Sequence, residues 1–342
     1  MWPHTKIIQA PMAGGATTPE LVAAVSNAGG LGSFAAGYLS PDEIRSSIRK
    51  IRALTSKPFA VNLFIPEEHH ATDHQIEQAR KIVQASCAEL NTTINTIKPP
   101  YSPAFDDQMN VLLEEKISVF SFTFGIPSRE WIEKFKENNI LLVGTATTLS
   151  EAKLLQKNNI DAIVLQGSEA GGHRGSFLDK PENSLVKLKS LLSTVIPEIK
   201  IPVIAAGGIM NAQEIITLLK LGASAVQMGT AFLTCTESGI HANYKKALLH
   251  AKNNSTVLTR AFSGKLARGL KNKFIVNMQP HEKEILDYPI QNALTKQMRQ
   301  EASKQNNTDF MSMWAGEAAY LCKAVSAAEL MQALSENIQK TL

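Results

Sequence analysis

The stretch that decides the fold covers residues 202–230 and reads PVIAAGGIMNAQEIITLLKLGASAVQMGT. An apolar run ends in two glycines, a helical segment follows, and a second apolar run ends in Gln-Met-Gly. Asn211 with Glu214 is a helix-start pattern, because the amide can cap free N–H groups and the carboxylate can reach back. Continuous apolar runs are typical of parallel strands that are buried on both faces. The stretch therefore predicts one strand–helix–strand unit of a parallel α/β fold.

The same alternation occurs along the first two thirds of the chain. The apolar runs lie at residues 7–12, 31–37, 59–64, 119–125, 141–147, 162–167, 202–208 and 225–233. Helix-start patterns separate them, such as Ser40-Pro41-Asp42-Glu43 and Thr148 with Glu151. Eight units in roughly 240 residues predict an α/β fold of the (β/α)8 TIM barrel type, and a doubly wound open sheet is the alternative.

The chain is longer than a barrel requires. It has 342 residues, whereas a barrel of this type takes about 250. We predict that the barrel covers residues 1–235, with an insertion near residues 66–116 where prolines and histidines interrupt the pattern. Residues 236–342 are polar and helix-prone, without a further buried strand. For this segment we predict a mainly helical appendage that covers the catalytic end of the barrel.

Composition excludes several classes of protein. Lys+Arg 35 against Asp+Glu 31 gives a net charge of only +4, which does not indicate a nucleic-acid partner. No run approaches the ~18 apolar residues of a membrane helix, and the N-terminal MWPHTK has no signal-peptide pattern. Cys87, Cys235 and Cys322 are too far apart for a disulfide framework and fit a reducing compartment. We expect a cytoplasmic protein with no membrane partner, and its oligomeric state stays open.

The sharpest candidate for chemistry is the sequence QGSEAGGHRG at residues 166–175, directly after the sixth predicted strand. TIM barrels carry their active sites in the loops at the C-terminal strand ends. The imidazole of His173 can act as an acid or a base near neutral pH. The neighbouring glycines allow the backbone to approach a flat ligand closely. The alternative is a flexible loop with a solvated histidine.

Two strand ends and two amides indicate a cofactor. Backbone N–H groups near Gly208 and Gly229 can point at a phosphate, although glycines that ease tight barrel corners are the alternative. Asn62 and Gln166 place polar amides in apolar strands, where an unpaired amide costs about 1–3 kcal/mol. Each amide could instead bond to neighbouring backbone. Together with the phosphate loops, the amides favour flavin mononucleotide (FMN).

Other clusters carry weaker signals. His69, His70 and His74 include an i, i+4 pair that can bind a metal ion on a helix. No carboxylate or cysteine with suitable spacing accompanies them, so we predict a solvated helix face and no metal site. Phe124, at the end of the fourth predicted strand, is either a core residue or a wall of the pocket.

The order and spacing of these motifs resemble the nitronate monooxygenases, formerly called 2-nitropropane dioxygenases, which are FMN-containing (β/α)8 barrels. The resemblance covers most of the chain and leans toward class I of that family. Besides the two glycine-ended strands, it rests on QAPMAGG at 9–15, VNLF at 61–64, SFTFG at 121–125, GSEAGGHRG at 167–175, AFSGKLARG at 261–269 and MWAG at 313–316. Flavin-dependent enoyl-acyl-carrier-protein reductases and nicotinamide-dependent quinone reductases share the barrel and the histidine loop.

The resemblance implies a reaction and a set of residues. His173 is the expected catalytic base facing the flavin. The expected reaction is FMN-dependent oxidative denitrification of an alkyl nitronate by O2, giving a carbonyl compound and nitrite, with propionate 3-nitronate as the expected substrate. Expected flavin contacts are Met12, Asn62, Gln166, Gly171, Gly208, Gln227, Met228, Gly229 and Thr230.

Two other functions and one residue assignment stay open. The alternative enzyme is an FMN-dependent NAD(P)H reductase of the enoyl-reductase or quinone-reductase type, and the third possibility is a flavin-binding barrel without turnover. Because a nitronate is anionic, a cation near the pocket would raise its occupancy. Arg174, Lys265 and Arg268 are candidates for that cation, with solvated surface roles as the alternative.

Overall fold

The computed structural model describes residues 5–340, in which eight parallel strands form a ring surrounded by helices. The strands are β1 (Ile7–Gln9), β2 (Gly32–Ala35), β3 (Phe59–Phe64), β4 (Val119–Thr123), β5 (Leu141–Ala146), β6 (Ala162–Gln166), β7 (Gly172–His173), β8 (Val203–Ala206), β9 (Ala225–Met228), β10 (Thr256–Thr259) and β11 (Ala267–Leu270). Residues 1–4, on which part of the expectation of no signal peptide depends, lie outside the described residues.

Helices alternate with the strands of the ring and continue after it. They are α1 (Pro19–Asn27), α2 (Pro41–Leu54), α3 (Asp73–Ser86), α4 (Phe105–Glu114), α5 (Arg129–Glu137), α6 (Leu149–Lys157), α7 (Leu188–Val195), α8 (Ala212–Lys220), α9 (Thr230–Leu233), α10 (Ala242–Leu249), α11 (Lys273–Met278), α12 (Ile290–Leu294), α13 (Lys296–Lys304) and α14 (Ala327–Gln339).

Hydrogen bonds close the parallel sheet into a ring. Its strands follow one another in chain order from β2 through β6, β8 and β9 back to β1, with parallel pairing throughout. Between β1 and β2, the Gln9 N–H donates to Leu31 O and the Leu31 N–H donates to Ile7 O, each at 3.0 Å. The predicted (β/α)8 barrel is confirmed. The doubly wound alternative is wrong, because in that fold the strand order reverses partway through the sheet.

The predicted helix caps form, but two of the three carboxylates accept the N–H of the residue before the cap, as Glu151 does from Thr147 at 2.6 Å. Ser40 begins α2 in a complete capping box, in which its N–H donates to Glu43 Oε2 at 2.8 Å and its Oγ accepts from the Glu43 N–H. Asn211 caps α8 by accepting from the Glu214 N–H at 3.0 Å. The Glu214 carboxylate, however, accepts the N–H of Met210, one residue before the cap. Both arrangements satisfy N–H groups that a helix start leaves unpaired.

The segment after residue 235 contains strands as well as helices. β10, β11 and β7 form an antiparallel sheet, in which His173 pairs with Ala267 and Gly172 pairs with Arg268. The prediction of no further buried strand is therefore wrong, because β11 is largely buried. β11 has only four residues, one of them charged, and β7 has two. Such short segments show no detectable period in sequence.

The last helix returns to the barrel wall. Only the short α9 follows β9, and α14 packs against α1 and α8. Its Met331, Leu334 and Ile338 join the apolar core of the barrel. α14 thereby occupies the outer-layer position next to the last barrel strand. The domain boundary at residue 235 and the covering role of residues 236–342 stay predictions.

The insertion between β3 and β4 holds α3 and α4. Ala79 and Val83 of α3 belong to a second apolar core, together with Phe262 and Met298 from the later part of the chain. This second core fixes the insertion and the appendage to each other beside the barrel. His69 contacts carboxylates of Glu67 and Asp287 at 3.2 and 3.5 Å.

Candidate active site

One large cavity lies at the C-terminal ends of the barrel strands. Its volume is about 1310 Å³, which exceeds the 300–1,000 Å³ of common ligand pockets. All ten site residues predicted from the sequence line it: Met12, Asn62, Gln166, Gly171, His173, Gly208, Gln227, Met228, Gly229 and Thr230. The structure therefore brings the predicted base and the predicted cofactor contacts together.

Hydrogen bonds hold His173 in a defined position on β7. Its backbone O accepts from Gln166 Nε2 at 3.0 Å, and its Nε2 lies 2.8 Å from Ser263 Oγ. Ser263 Oγ donates its proton to the backbone O of Lys265 at 3.2 Å. When Ser263 donates its proton to Lys265 O, it accepts from Nε2, and in that arrangement the imidazole proton is on Nε2 and a lone pair is on Nδ1. The flexible, solvated alternative for this loop is wrong.

The environment of His173 keeps its imidazole neutral. Burial lowers its pKa to about 3, and the positive charges of Lys265 and Arg299 act in the same direction. A neutral imidazole with a free lone pair is a base at neutral pH, not an acid.

Aromatic rings surround the imidazole of His173. The ring centroids of Trp314, Phe124 and Tyr288 lie 5.3, 6.0 and 6.2 Å from that of His173. Phe124 lines the cavity and has a φ of +77° just after β4, a strained conformation that is often found at functional sites. Of the two roles predicted for Phe124, the structure supports the pocket wall.

The two predicted amides differ in how they are bonded. Gln166 Oε1 accepts the N–H of Gly175 at 2.8 Å while its Nε2 donates to the His173 carbonyl, so this amide fastens the histidine loop to the end of β6. Asn62 Nδ2 donates to Ser121 Oγ at 3.0 Å. Both side chains also line the cavity. The bonding of Gln166 to neighbouring backbone, which the sequence left open, is present.

The glycines around the cavity serve two different purposes. A Cβ on Gly171 would lie 2.5 Å from the backbone C of Ala315 and N of Gly316, so this glycine permits close contact between two protein segments. Gly208 has a φ of +70°, which favours glycine. Within residues 5–340, the N–H groups of Gly208 and Gly229 have no protein acceptor. Backbone donors of this kind suit an anionic ligand group.

The three cations proposed for substrate binding do not line the cavity. Arg174 is 1% exposed, and its terminal nitrogens donate to the carbonyls of Gly167, Gln166 and Ser184 at 2.7–3.0 Å. Lys265 pairs with Glu67 and lies 4.4 Å from the centroid of the Phe124 ring. Arg268 donates to Ser168 O and pairs with Glu317. The interpretation as substrate-anion sites is wrong for all three, because each charge is already engaged within the protein.

Several residues that the fold brings to this cavity were not among those predicted from the sequence. They are Tyr38, Tyr288, Lys296 and Arg299, which line it, and Ser263, which contacts His173. Ser263 lies inside the AFSGKLARG segment, whose likeness to the family was the one signal that could have found it. Tyr38 directly follows the predicted run at residues 31–37, which ends in Gly37, whereas Tyr288, Lys296 and Arg299 lie in segments without glycine or strand patterns.

Two classes of site are absent from the described part of the chain. No group of three or more His, Cys, Asp or Glu side chains in residues 5–340 could hold a metal ion. No helix among these residues is long and apolar enough to cross a membrane. Cys87, Cys235 and Cys322 are all free thiols.

Comparisons with known proteins agree with this geometry. The family described as nitronate monooxygenase matches residues 2–337. The chain is 43% identical over 338 residues to a probable nitronate monooxygenase from Staphylococcus aureus (strain JH9), a match that covers 98% of this chain and 95% of the relative. A crystal structure of nitroalkane oxidase from Streptomyces ansochromogenes has a TM-score of 0.92 at 37% identity, with 98% of this chain and 96% of that chain covered.

A more distant structural relative shares the same architecture. FabK from Thermotoga maritima has a TM-score of 0.77 at 30% identity, with 99% of this chain and 94% of that chain covered. The family match extends over nearly the whole chain and agrees with the motif order and with the cavity at the strand ends. The chain belongs to the nitronate monooxygenase family and is an oxidoreductase.

Proposed function

We propose that the protein catalyses FMN-dependent oxidative denitrification of alkyl nitronates with O2, giving a carbonyl compound and nitrite. The observation that carries the proposal is the position of His173, which lies beside the rings of Phe124 and Trp314 in a cavity lined by all nine predicted cofactor contacts. Membership of the nitronate monooxygenase family supports the reaction class.

The residues present fit a flavin. The unpaired N–H groups of Gly208 and Gly229 suit a phosphate group, and the amide side chains of Asn62 and Gln227 suit a heteroaromatic ring. The cavity volume leaves room for a substrate beside the cofactor. Bound FMN would supply electron acceptance from the nitronate and reactivity toward O2. The residues that would hold it are Met12, Asn62, Gln166, Gly171, Gly208, Gln227, Met228, Gly229 and Thr230.

His173 performs the proton transfer in this proposal. With a neutral nitroalkane, the Cα–H bond breaks, the proton passes to Nδ1, and the electron pair moves into the nitro group to form the nitronate. Ser263 then holds the resulting imidazolium by accepting from Nε2. The aromatic rings of Phe124, Tyr288 and Trp314 limit water around the base. An already ionised nitronate needs no proton removal, so there His173 only orients it.

The cavity also suits a second candidate, an FMN-dependent NAD(P)H reductase. The observation that favours it is the size of the cavity, which could admit a large ligand next to a flavin. Three measurements on the purified protein separate the candidates. The visible spectrum shows whether flavin is bound, anaerobic mixing with NADPH tests hydride transfer, and nitrite release from propionate 3-nitronate in air tests denitrification.

We expect a yellow protein that releases nitrite with O2 uptake and is reduced slowly, if at all, by NADPH alone. Rapid flavin reduction by NADPH without nitrite release would instead support the reductase. A colourless protein that also fails to bind added FMN would contradict both functions. Flavin binding without either reaction would support a barrel without turnover.

A further inference from the structure

The appendage places one arginine in the cavity without a carboxylate partner. Arg299 of α13 lines the cavity, and its Nη2 donates to the O and Oδ1 atoms of Asn292 at 2.7 and 2.9 Å. Its Nε is buried without an acceptor. No ion pair among residues 5–340 includes Arg299. Asn292 thus fixes the guanidinium and leaves donors on it unused.

The other cations near the cavity are either exposed to solvent or already bonded. Lys98 and Lys296 also line the cavity and form no ion pair within residues 5–340, but both residues are exposed, so water solvates their charges. Arg174 is engaged by three carbonyls, Lys265 pairs with Glu67, and Arg268 pairs with Glu317. Burying a cation without a counter-ion is costly, and removal from water is the main reason that the pKa of Arg299 is lowered. An arginine nevertheless stays protonated in proteins. An anion in the cavity would therefore gain from a fixed, charged and incompletely bonded guanidinium.

Arg299 is also close enough to the reacting centre to act on it. Its positive charge lowers the pKa of His173 and interacts with the phenol of Tyr38, and all three residues line the same cavity. A short substrate whose reacting carbon lies at His173 could extend toward Arg299. The group that meets a guanidinium with free donors most favourably is a carboxylate.

We propose that Arg299 binds a carboxylate at the far end of the nitronate substrate and thereby selects carboxylated nitronates over uncharged alkyl nitronates. The inference rests on the proposed function for the reacting nitronate group. Propionate 3-nitronate carries both anionic groups on a three-carbon chain, whereas propyl 1-nitronate has the same chain length without the carboxylate. The two compounds are a matched pair for testing the site.

The test compares wild-type holoenzyme with Arg299→Met and Arg299→Lys on both nitronates. For Arg299→Met we expect KM for propionate 3-nitronate to rise about 10- to 100-fold, the range for loss of a hydrogen bond to a charged group. KM for propyl 1-nitronate should change less than about threefold, a difference below ~0.7 kcal/mol. Arg299→Lys should raise this KM less than Arg299→Met does, because lysine keeps the positive charge but lacks the paired donors of the planar guanidinium. If Arg299→Met does not fold, Asn292→Ala is the second variant, because it removes the hydrogen bond from Arg299 Nη2 to Asn292 Oδ1. We expect it to raise KM for propionate 3-nitronate by a smaller factor.

Calorimetry with succinate gives a readout that needs no turnover. Succinate imitates both anionic groups of propionate 3-nitronate, and butyrate has the same number of carbons with one carboxylate. We expect Arg299→Met to weaken succinate binding about 10-fold or more while butyrate is little affected, since one charged contact is lost. Equal losses on both nitronates, or unchanged succinate affinity, would overturn the proposal, as would a larger effect from Lys296→Met. If the wild type oxidises no nitronate, the proposed function fails, and succinate binding still decides the role of Arg299.

Discussion

The barrel side and the appendage side of the cavity offer different chemistry. The barrel side presents backbone N–H groups and amides at the strand ends: Asn62, Gln166, Gly208, Gln227 and Gly229. The appendage side presents rings and charges: Tyr288, Lys296, Arg299 and Trp314. Backbone and amide donors suit a ligand that is always the same, such as a cofactor. Long side chains on a separate segment can discriminate between substrates, which is how we interpret the appendage side.

His173 lies where the two sides meet. It follows β6 of the barrel, yet its strand β7 pairs with β11 of the appendage. Ser263 from the appendage contacts Nε2 of the imidazole, and the charges of Lys265 and Arg299 lower the pKa of His173. In the proposed reaction the barrel therefore supplies the base, and the charges of the appendage help to keep it neutral. Three predictions test this division, and the largest effect concerns the base itself.

His173→Asn removes the base while keeping a polar side chain. We expect activity on neutral nitroalkanes to fall about 10²- to 10⁴-fold, the usual contribution of a general base. Activity on pre-ionised propionate 3-nitronate should fall much less, because no proton has to be removed. Flavin content should stay near normal, since the nine other predicted contacts are unchanged. Steady-state rates on both forms of one substrate, together with the flavin-to-protein ratio, measure these effects. Equal losses on both forms would contradict proton abstraction by His173.

The sequence was sufficient for the barrel side because the signals there are local. A strand that ends in glycine and a capped helix are specified by residues adjacent in the chain, as in residues 202–230. His173 and Gly208 could therefore be assigned to the catalytic end before any contact was known. The same reasoning failed for Arg174. Its position beside His173 suggested the pocket, but its side chain turns into the protein to bond Gly167 O and Ser184 O.

The appendage side could not be predicted because it depends on contacts between distant segments. Arg299 reaches the cavity only because α13 packs through Met298 and Ala302 into the second apolar core. Ser263 meets His173 across 90 residues of chain. β11 was missed for the same reason, since a four-residue strand is defined by its partner and not by its own pattern.

Gly171→Ala tests the contact between the two sides, where Gly171 packs against the backbone of Ala315 and Gly316. The added Cβ would lie 2.5 Å from the Ala315–Gly316 backbone, which cannot move aside like the end of a side chain. We expect the free energy of unfolding to fall by about 1–3 kcal/mol, the usual cost of overpacking. Gly229→Ala is the matched control, because a Cβ there meets its nearest atom, Ala10 Cβ, at an ordinary 3.4 Å. Urea unfolding of the flavin-free proteins measures both. Equal stability of the two variants would show that the Ala315–Gly316 backbone can move away from residue 171 at little cost.

The smallest effect is the pH dependence that His173 confers on stability. In the folded protein its pKa is about 3, whereas an unfolded histidine takes up a proton below about pH 6.5. Between these values the unfolded state binds one more proton, so the free energy of unfolding falls as pH falls, by up to about 1.4 kcal/mol per pH unit. Urea unfolding of flavin-free wild type and His173→Asn from pH 7 to pH 5 isolates this contribution. The difference between their free energies of unfolding should change only below about pH 6.5.

Lys265→Met, a change on the appendage side, should raise the pKa of His173 in an NMR titration because Lys265 lowers it. An unchanged titration curve would mean that the appendage does not set the protonation state of the barrel's base.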